Sequence, residues 1–168
     1  MNRAFVKDPD DAGRPEQLAP RPQSPHTNYV TPAGLTQLKA RVAELGQRRA
    51  ALLDAGKQGN PQELTLVQRD LAYFEERLAR AIPVDPAKQP RDRVVFGATV
   101  EVQDEAGFLT TYTLVGEDEA EAGGGLISWV SPLAEALLNA EVGDEVVWRR
   151  PAGVKRVEVV GIRSGAGG

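Results

Sequence analysis

The chain has no cysteine and a single histidine, His26. Without thiols there can be no disulfide, iron–sulfur cluster, thiolate zinc site or cysteine nucleophile, and one imidazole excludes any site that needs two. Aromatic residues make up 5% of the chain, too few for the stacked platforms that hold single-stranded nucleic acid. No sequence-specific nucleic-acid binding is expected. No stretch approaches the roughly 18 apolar residues of a membrane span, and Met1-Asn2-Arg3-Ala4-Phe5-Val6-Lys7-Asp8 never develops the apolar run of a signal peptide. The expectation is a cytoplasmic monomer with no membrane association, metal or cofactor, and no catalysis of its own.

The residues that are present describe a globular protein. At 168 residues, 41% hydrophobic and 26% charged, the chain can bury a modest core or two small ones. Its net charge of −4 is unevenly spread: residues 94–168 carry 12 acidic against 5 basic side chains, residues 31–82 carry 6 against 8. Such asymmetry suggests two modules.

Residues 1–30 contain Pro9, Pro15, Pro20, Pro22 and Pro25 without helical or strand periodicity, and are expected to form a disordered arm. Thr31 and Pro32 are a helix start, cap and first-turn residue. Leu35, Leu38, Val42, Leu45 and Leu52 then alternate at three and four, with Arg49 in the seat that would complete the stripe, predicting a helix over about 32–54. Gly56, Gly59 and Asn60-Pro61 break it and start another. Leu64, Val67, Leu71, Phe74, Leu78 and Ala81 repeat as an a/d seam up to Pro83. Two helices with one apolar stripe each must hide those stripes against each other, so 31–82 is expected to be an antiparallel coiled-coil hairpin. Pro83, Pro86 and Pro90 make 83–93 a stiff linker. Beyond it the period changes to two, with strands predicted at 94–102, 108–115, 126–130, 146–150 and 156–162 and a short helix from Pro132 in which Leu133, Ala136 and Leu137 face inward. Residues 94–163 thus read as a small α+β domain, and 164–168 as a flexible tail.

Little here carries chemistry. Glu117-Asp118-Glu119-Ala120-Glu121 lacks the spacing of a calcium loop and runs into Gly123-Gly124-Gly125; it is expected to be a solvated hairpin tip. Those glycines are not followed by the Lys-Ser/Thr of a phosphate cradle. Ser131 before Pro132 is explained by helix capping. His26 has no neighbour to make it a base.

A resemblance emerges from ordered motifs. Tyr29-Val30-Thr31-Pro32-Ala33-Gly34 opens the hairpin. Val94-Val95-Phe96-Gly97-Ala98, Ile127-Ser128, Ser131-Pro132-Leu133-Ala134-Glu135-Ala136-Leu137-Leu138, Val142-Gly143-Asp144 and Pro151-Ala152-Gly153 follow in sequence. Over residues 28–163 this pattern resembles the bacterial Gre (GreA/GreB) transcript-cleavage and elongation factors, leaving 1–27 outside. The resemblance implies an FKBP-like C-terminal domain that grips the rim of the RNA polymerase secondary channel, with contact residues at Ile127, Ser128, Trp129, Val130, Ser131 and Pro132, and a coiled coil that enters the channel. It also implies a tip, G-D-x-x-E-N-A in the family, whose two acids help hold a magnesium ion for cleavage of backtracked RNA.

Three departures qualify that expectation. The matching tip is Gly56-Lys57-Gln58-Gly59-Asn60-Pro61-Gln62, with Lys57 and Asn60 where the acids belong. Each hairpin arm is shorter than the family's by about a heptad, roughly 10 Å of reach. Val130 stands where the family has an aspartate. The expected function is therefore a polymerase-binding elongation regulator that does not stimulate cleavage, with a tip of Lys57, Gln58, Asn60 and Glu63. Two other readings stay open: a cleavage factor in which Asp54 and Glu63 replace the missing acids, and an interaction module turned to a different partner. Trp129 shares strand parity with Ile127, so it reads either as an exposed anchor or as core.

Overall fold

The computed structural model describes residues 18–164; residues 1–17 of the expected arm and 165–168 of the expected tail lie outside the described residues. The architecture is α+β, a helical hairpin and a small sheet domain. The described residues divide into two compact units, one of 18–23 and 40–76, the other of 24–39 and 77–164.

The first unit is the body of the hairpin. Helix α1 spans Pro32–Asp54 and α2 Pro61–Arg80, so the periodicity marked both helices correctly. Leu45, Leu52, Val67 and Leu71 are buried together, with Val42, Leu64 and Phe74 packed on them; these are the seam positions. Arg49 is exposed, as a charged residue in a two-helix seam must be when it can swing its head into water. The connection is a 3-10 turn at Gly56–Gln58, entered through Gly56 at φ +54°, a conformation that costs other residues a Cβ clash.

The second unit holds a five-stranded sheet. Its strands are β3 (Ala98–Asp104), β4 (Leu109–Val115), β5 (Leu126–Ser128), β6 (Glu145–Arg150) and β7 (Gly153–Ser164), in spatial order β5-β4-β3-β7-β6. All pairings are antiparallel except β4 with β5. Helix α3 (Pro132–Leu137) buries Leu133, Ala134 and Leu137 against Val100, Val102, Leu114, Val157 and Val159. Ala134, not Ala136, is the fully covered alanine. At the β3–β4 turn Asp104 accepts the N–H groups of Phe108 (2.9 Å) and Ala106 (3.0 Å), and the Phe108 bond above all holds its carboxyl below the ordinary carboxylate value.

Three features depart from the sequence reading. First, the chain before α1 is not a free arm throughout. Tyr29–Val30 forms β1, paired in parallel with β2 at Ile82–Pro83, and Asn28 and Val30 are buried. The prolines of this stretch forbid a ladder donor at their own positions but leave extended backbone, and the N–H groups of Ile82 and Val84 reach the carbonyls of Asn28 and Val30 at 2.9 Å. Second, the stretch 83–93 is more than a spacer: besides the pairing of Pro83, Asp85 caps a 3-10 turn at Pro86–Lys88, and Val94 next to it is fully buried.

Third, the acidic run is no solvated hairpin tip. Strands β4 and β5 are parallel, so Glu117–Glu119, a 3-10 turn, lies on a crossover, and its carboxylates are engaged. Arg77, 1% exposed, sends Nε to Asp118 at 2.6 Å and lies 3.6 Å from Glu117. Its Nη2 donates to Asn28 Oδ1 at 2.6 Å, while Asn28 Nδ2 donates to the Arg77 carbonyl at 2.7 Å. Glu119 accepts from the Gly116 N–H (3.0 Å), the Thr31 N–H (3.1 Å) and the Thr31 hydroxyl. A Cβ on Gly34 would overlap that carboxylate, which is why a glycine sits in the first turn of α1.

Two outcomes test these assignments. Leu71→Asp buries an unpaired carboxylate in the seam and should cost about 3 kcal/mol or more, seen as lost helical signal in far-ultraviolet circular dichroism; unchanged helix content would refute the seam. Arg77→Met removes the buried guanidinium that faces Glu117 and Asp118 and should destabilise the second unit by about 3–5 kcal/mol. Urea unfolding followed by tryptophan fluorescence reads this, since Trp129 and Trp148 both lie in that unit. Adding Glu117→Gln and Asp118→Asn should recover part of the loss.

Candidate functional site

Two places carry the residues singled out in the sequence, the hairpin tip in the first unit and the strand-to-helix segment 127–132 in the second.

At the tip, Lys57 lies in the exposed 3-10 turn. Asn60 is committed to backbone: its Oδ1 accepts the N–H groups of Gln62 (3.0 Å) and Glu63 (3.2 Å), capping α2 ahead of Pro61. Glu63 is paired with Arg48 at 2.6 Å. Asp54 ends α1 and Gln58 ends the turn, both exposed. This donor set does not fit a magnesium ion. An ammonium repels the metal and has no lone pair to give, the Asn60 oxygen is already used twice, and the Glu63 carboxylate faces a guanidinium. Among the described residues, no three His, Cys, Asp or Glu side chains gather to hold a metal.

The segment 127–132 is built by β5 and the start of α3. Ile127 and Ser128 pair with Leu114 and Val115 of β4, at the edge of the sheet. The strand then turns: the Trp129 N–H bonds the Val115 carbonyl and the Ser131 N–H the Ser128 carbonyl, both at 2.9 Å, while the Val130 N–H reaches Ser128 Oγ at 3.3 Å. Ser131 Oγ accepts the Ala134 N–H at 3.3 Å, so this serine is the α3 cap that the sequence indicated. Pro132 is exposed and the other five are half-buried.

Trp129 is neither a bare anchor nor part of the sheet core. Ile127 packs on that core, but the turn after Ser128 breaks the strand parity, and the indole instead meets Tyr29 edge-on at 5.3 Å and His26 at 6.1 Å. Tyr29 in turn lies 5.9 Å from Phe96. The Trp129 Nε1 is buried with no hydrogen-bond partner among the described residues. His26 is therefore an aromatic neighbour, a role that its place among prolines did not disclose. Thr31 caps α1 as the sequence indicated, its hydroxyl oxygen accepting the Gly34 N–H at 3.0 Å, but sequence reasoning missed Arg77 and Asn28 as organisers of this unit. The only signal was a basic residue on α2 and an acid run on a later loop, with nothing to pair them.

The profile of the family "Transcription elongation factor, GreA/GreB, C-term" matches residues 89–164. The chain is 32% identical to transcription elongation factor GreB of Neisseria meningitidis serogroup B over 151 residues, covering 80% of this chain and 93% of that protein. The chain belongs to the GreA/GreB family of transcription elongation factors. GreB of Xanthomonas axonopodis pv. citri is 36% identical over 157 residues, with 84% of this chain and 94% of the relative covered. Since 84% of 168 residues is about 141, some 16 of those aligned positions have no counterpart in this Gre-family chain. A solved GreA/GreB structure from Nitrosomonas europaea is 28% identical with a TM-score of 0.40, covering 80% of this chain and 98% of that one.

Truncation at the aromatic cluster separates packing from the lone polar atom. Trp129→Ala should destabilise the second unit by about 2–3 kcal/mol, below a full core deletion because the ring is half-buried. Trp129→Phe keeps the edge contacts and removes an unpartnered buried donor, so it should cost under about 1 kcal/mol. Thermal unfolding of both variants reads the difference; equal losses would mean that the ring contacts with Tyr29 and His26 contribute nothing.

Proposed function

We propose that this protein is a Gre-family regulator that binds bacterial RNA polymerase at the secondary channel and modulates transcription without stimulating transcript cleavage. In this reading, Ile127, Ser128, Trp129, Val130, Ser131 and Pro132 form the contact with the channel rim, and the hairpin carries Lys57, Gln58, Asn60 and Glu63 inward. The family supports a role in elongation. The observation that carries the rest is the tip: a cation and a capping amide stand where a cleavage factor needs two metal-binding acids.

The reading in which Asp54 and Glu63 replace those acids is disfavoured by the Arg48–Glu63 ion pair at 2.6 Å, which occupies one of the two carboxylates.

Backtracked elongation complexes provide the test. The protein should add no cleavage to the polymerase's own in magnesium, while altering elongation or initiation. Lys57→Asp with Asn60→Glu should restore little, because a hairpin shorter by about a heptad still falls roughly 10 Å short. Cleavage by the unaltered protein would overturn the proposal. Full activity in the double variant would overturn the length argument alone.

A further inference from the structure

Just ahead of the Gre-like region, residues 18–23 make side-chain contacts within the hairpin unit. The Arg21 guanidinium lies 3.9 Å above the centroid of Tyr73 and 5.4 Å from that of Phe74, and its Nη1 donates to Asp70 at 3.1 Å. Tyr73 and Phe74 meet edge-on at 5.0 Å, and Arg41 of α1 lies 5.6 Å from the Phe74 ring. Two residues along, Gln23 Nε2 donates to the Tyr73 carbonyl at 3.2 Å. A carboxylate beside an aromatic face is a receptor for a flat, delocalised cation, and here the cation is supplied by the same chain, some fifty residues away in sequence.

The flanking residues favour this docking. Pro20 and Pro22 on either side of Arg21 fix φ and remove two N–H donors from one edge of the segment, which stays extended at low entropic cost. Side chains hold it, and Arg21 and Gln23 are spaced to face the same surface of an extended chain.

We propose that residues 18–23 are a strap across the middle of α2, with Arg21 as its clasp. The strap crosses α2 about 15 Å from Pro61, at 1.5 Å per residue. It holds the turn of helix carrying Asp70, Tyr73 and Phe74 and keeps that face from other partners. Arg21 is a positioning residue for the hairpin and touches no substrate.

Hydrogen exchange of the full chain tests this. Arg21→Ala should speed amide exchange both at 18–23 and at 70–74 of α2, the latter by roughly fivefold, the factor that a part-exposed ion pair with a cation–π contact supplies. Arg21→Lys keeps a charge near Asp70 but loses the flat stack, and should restore only part of the protection. Circular dichroism checks that both variants retain their helices. Unchanged exchange at both segments would overturn the proposal. Faster exchange at 18–23 alone would also overturn it, because the segment would then ride on α2 without holding it. Full protection with Arg21→Lys would reduce the clasp to simple charge pairing and overturn the aromatic receptor.

Discussion

The second unit depends on one buried guanidinium. Removing a charge from water costs several kcal/mol unless partners replace the hydration, and Arg77 meets most of that demand with the side chain of Asn28, the carboxylate of Asp118 and the nearby Glu117, its Nη1 alone having no hydrogen-bond partner among the described residues. Those partners come from the chain before α1 and from the β4–β5 crossover. Satisfying one side chain therefore fixes two segments that have little apolar surface of their own. The division between the compact units falls at Arg77, where the helix stops contributing to the seam and begins to serve this ionic centre. Glu119 extends the same logic, holding Thr31 at the start of α1, with Gly34 leaving room for its carboxylate.

What could be read from the sequence follows from how each feature is encoded. The seam of Leu45, Leu52, Val67 and Leu71 repeats, and repetition survives a single-sequence reading; so do period-two strands bounded by Asp104-Glu105-Ala106-Gly107 or Pro151-Ala152-Gly153. The pairing of Tyr29–Val30 with Ile82–Pro83 leaves no such trace, because two residues have no period and their partners lie about fifty positions apart. An acid run looks alike whether it faces water or a buried arginine, so Glu117–Glu119 was illegible until the position of Arg77 was known. Trp129 is a more particular case: the strand expected over 126–130 ends at Ser128, where the chain turns toward Ser131, so parity with Ile127 does not reach the indole.

At the tip the residue types themselves are legible in the sequence. The structure adds how each is employed. Asn60 gives both acceptor positions of its amide oxygen to the first turn of α2, so the hairpin reversal itself rests on a residue that a metal-binding tip would need to be free. Restoring an acid there would also recruit it as a cap, because Asp and Asn serve equally at that position. Capping and metal binding compete for the same oxygen atoms.

The hairpin body has a further constraint. Its seam has four buried apolar residues, a small core for two helices of 23 and 20 residues, and short helices in water are marginal without tertiary packing. With the seat at Arg49 given to a charged side chain, stability must be found on the flanks, and that is where the polar contacts of this unit are found. Arg48 pairs with Glu63 near the tip, and Arg21 pairs with Asp70 farther along α2. Each pair is part-exposed and weak alone, but the Arg21 pair is reinforced by two aromatic faces and by prolines that keep its segment extended. A short coiled coil that has lost a seam layer thus gains most from contacts that cost little entropy, and the segment from Leu18 to Gln23 has the composition to make them.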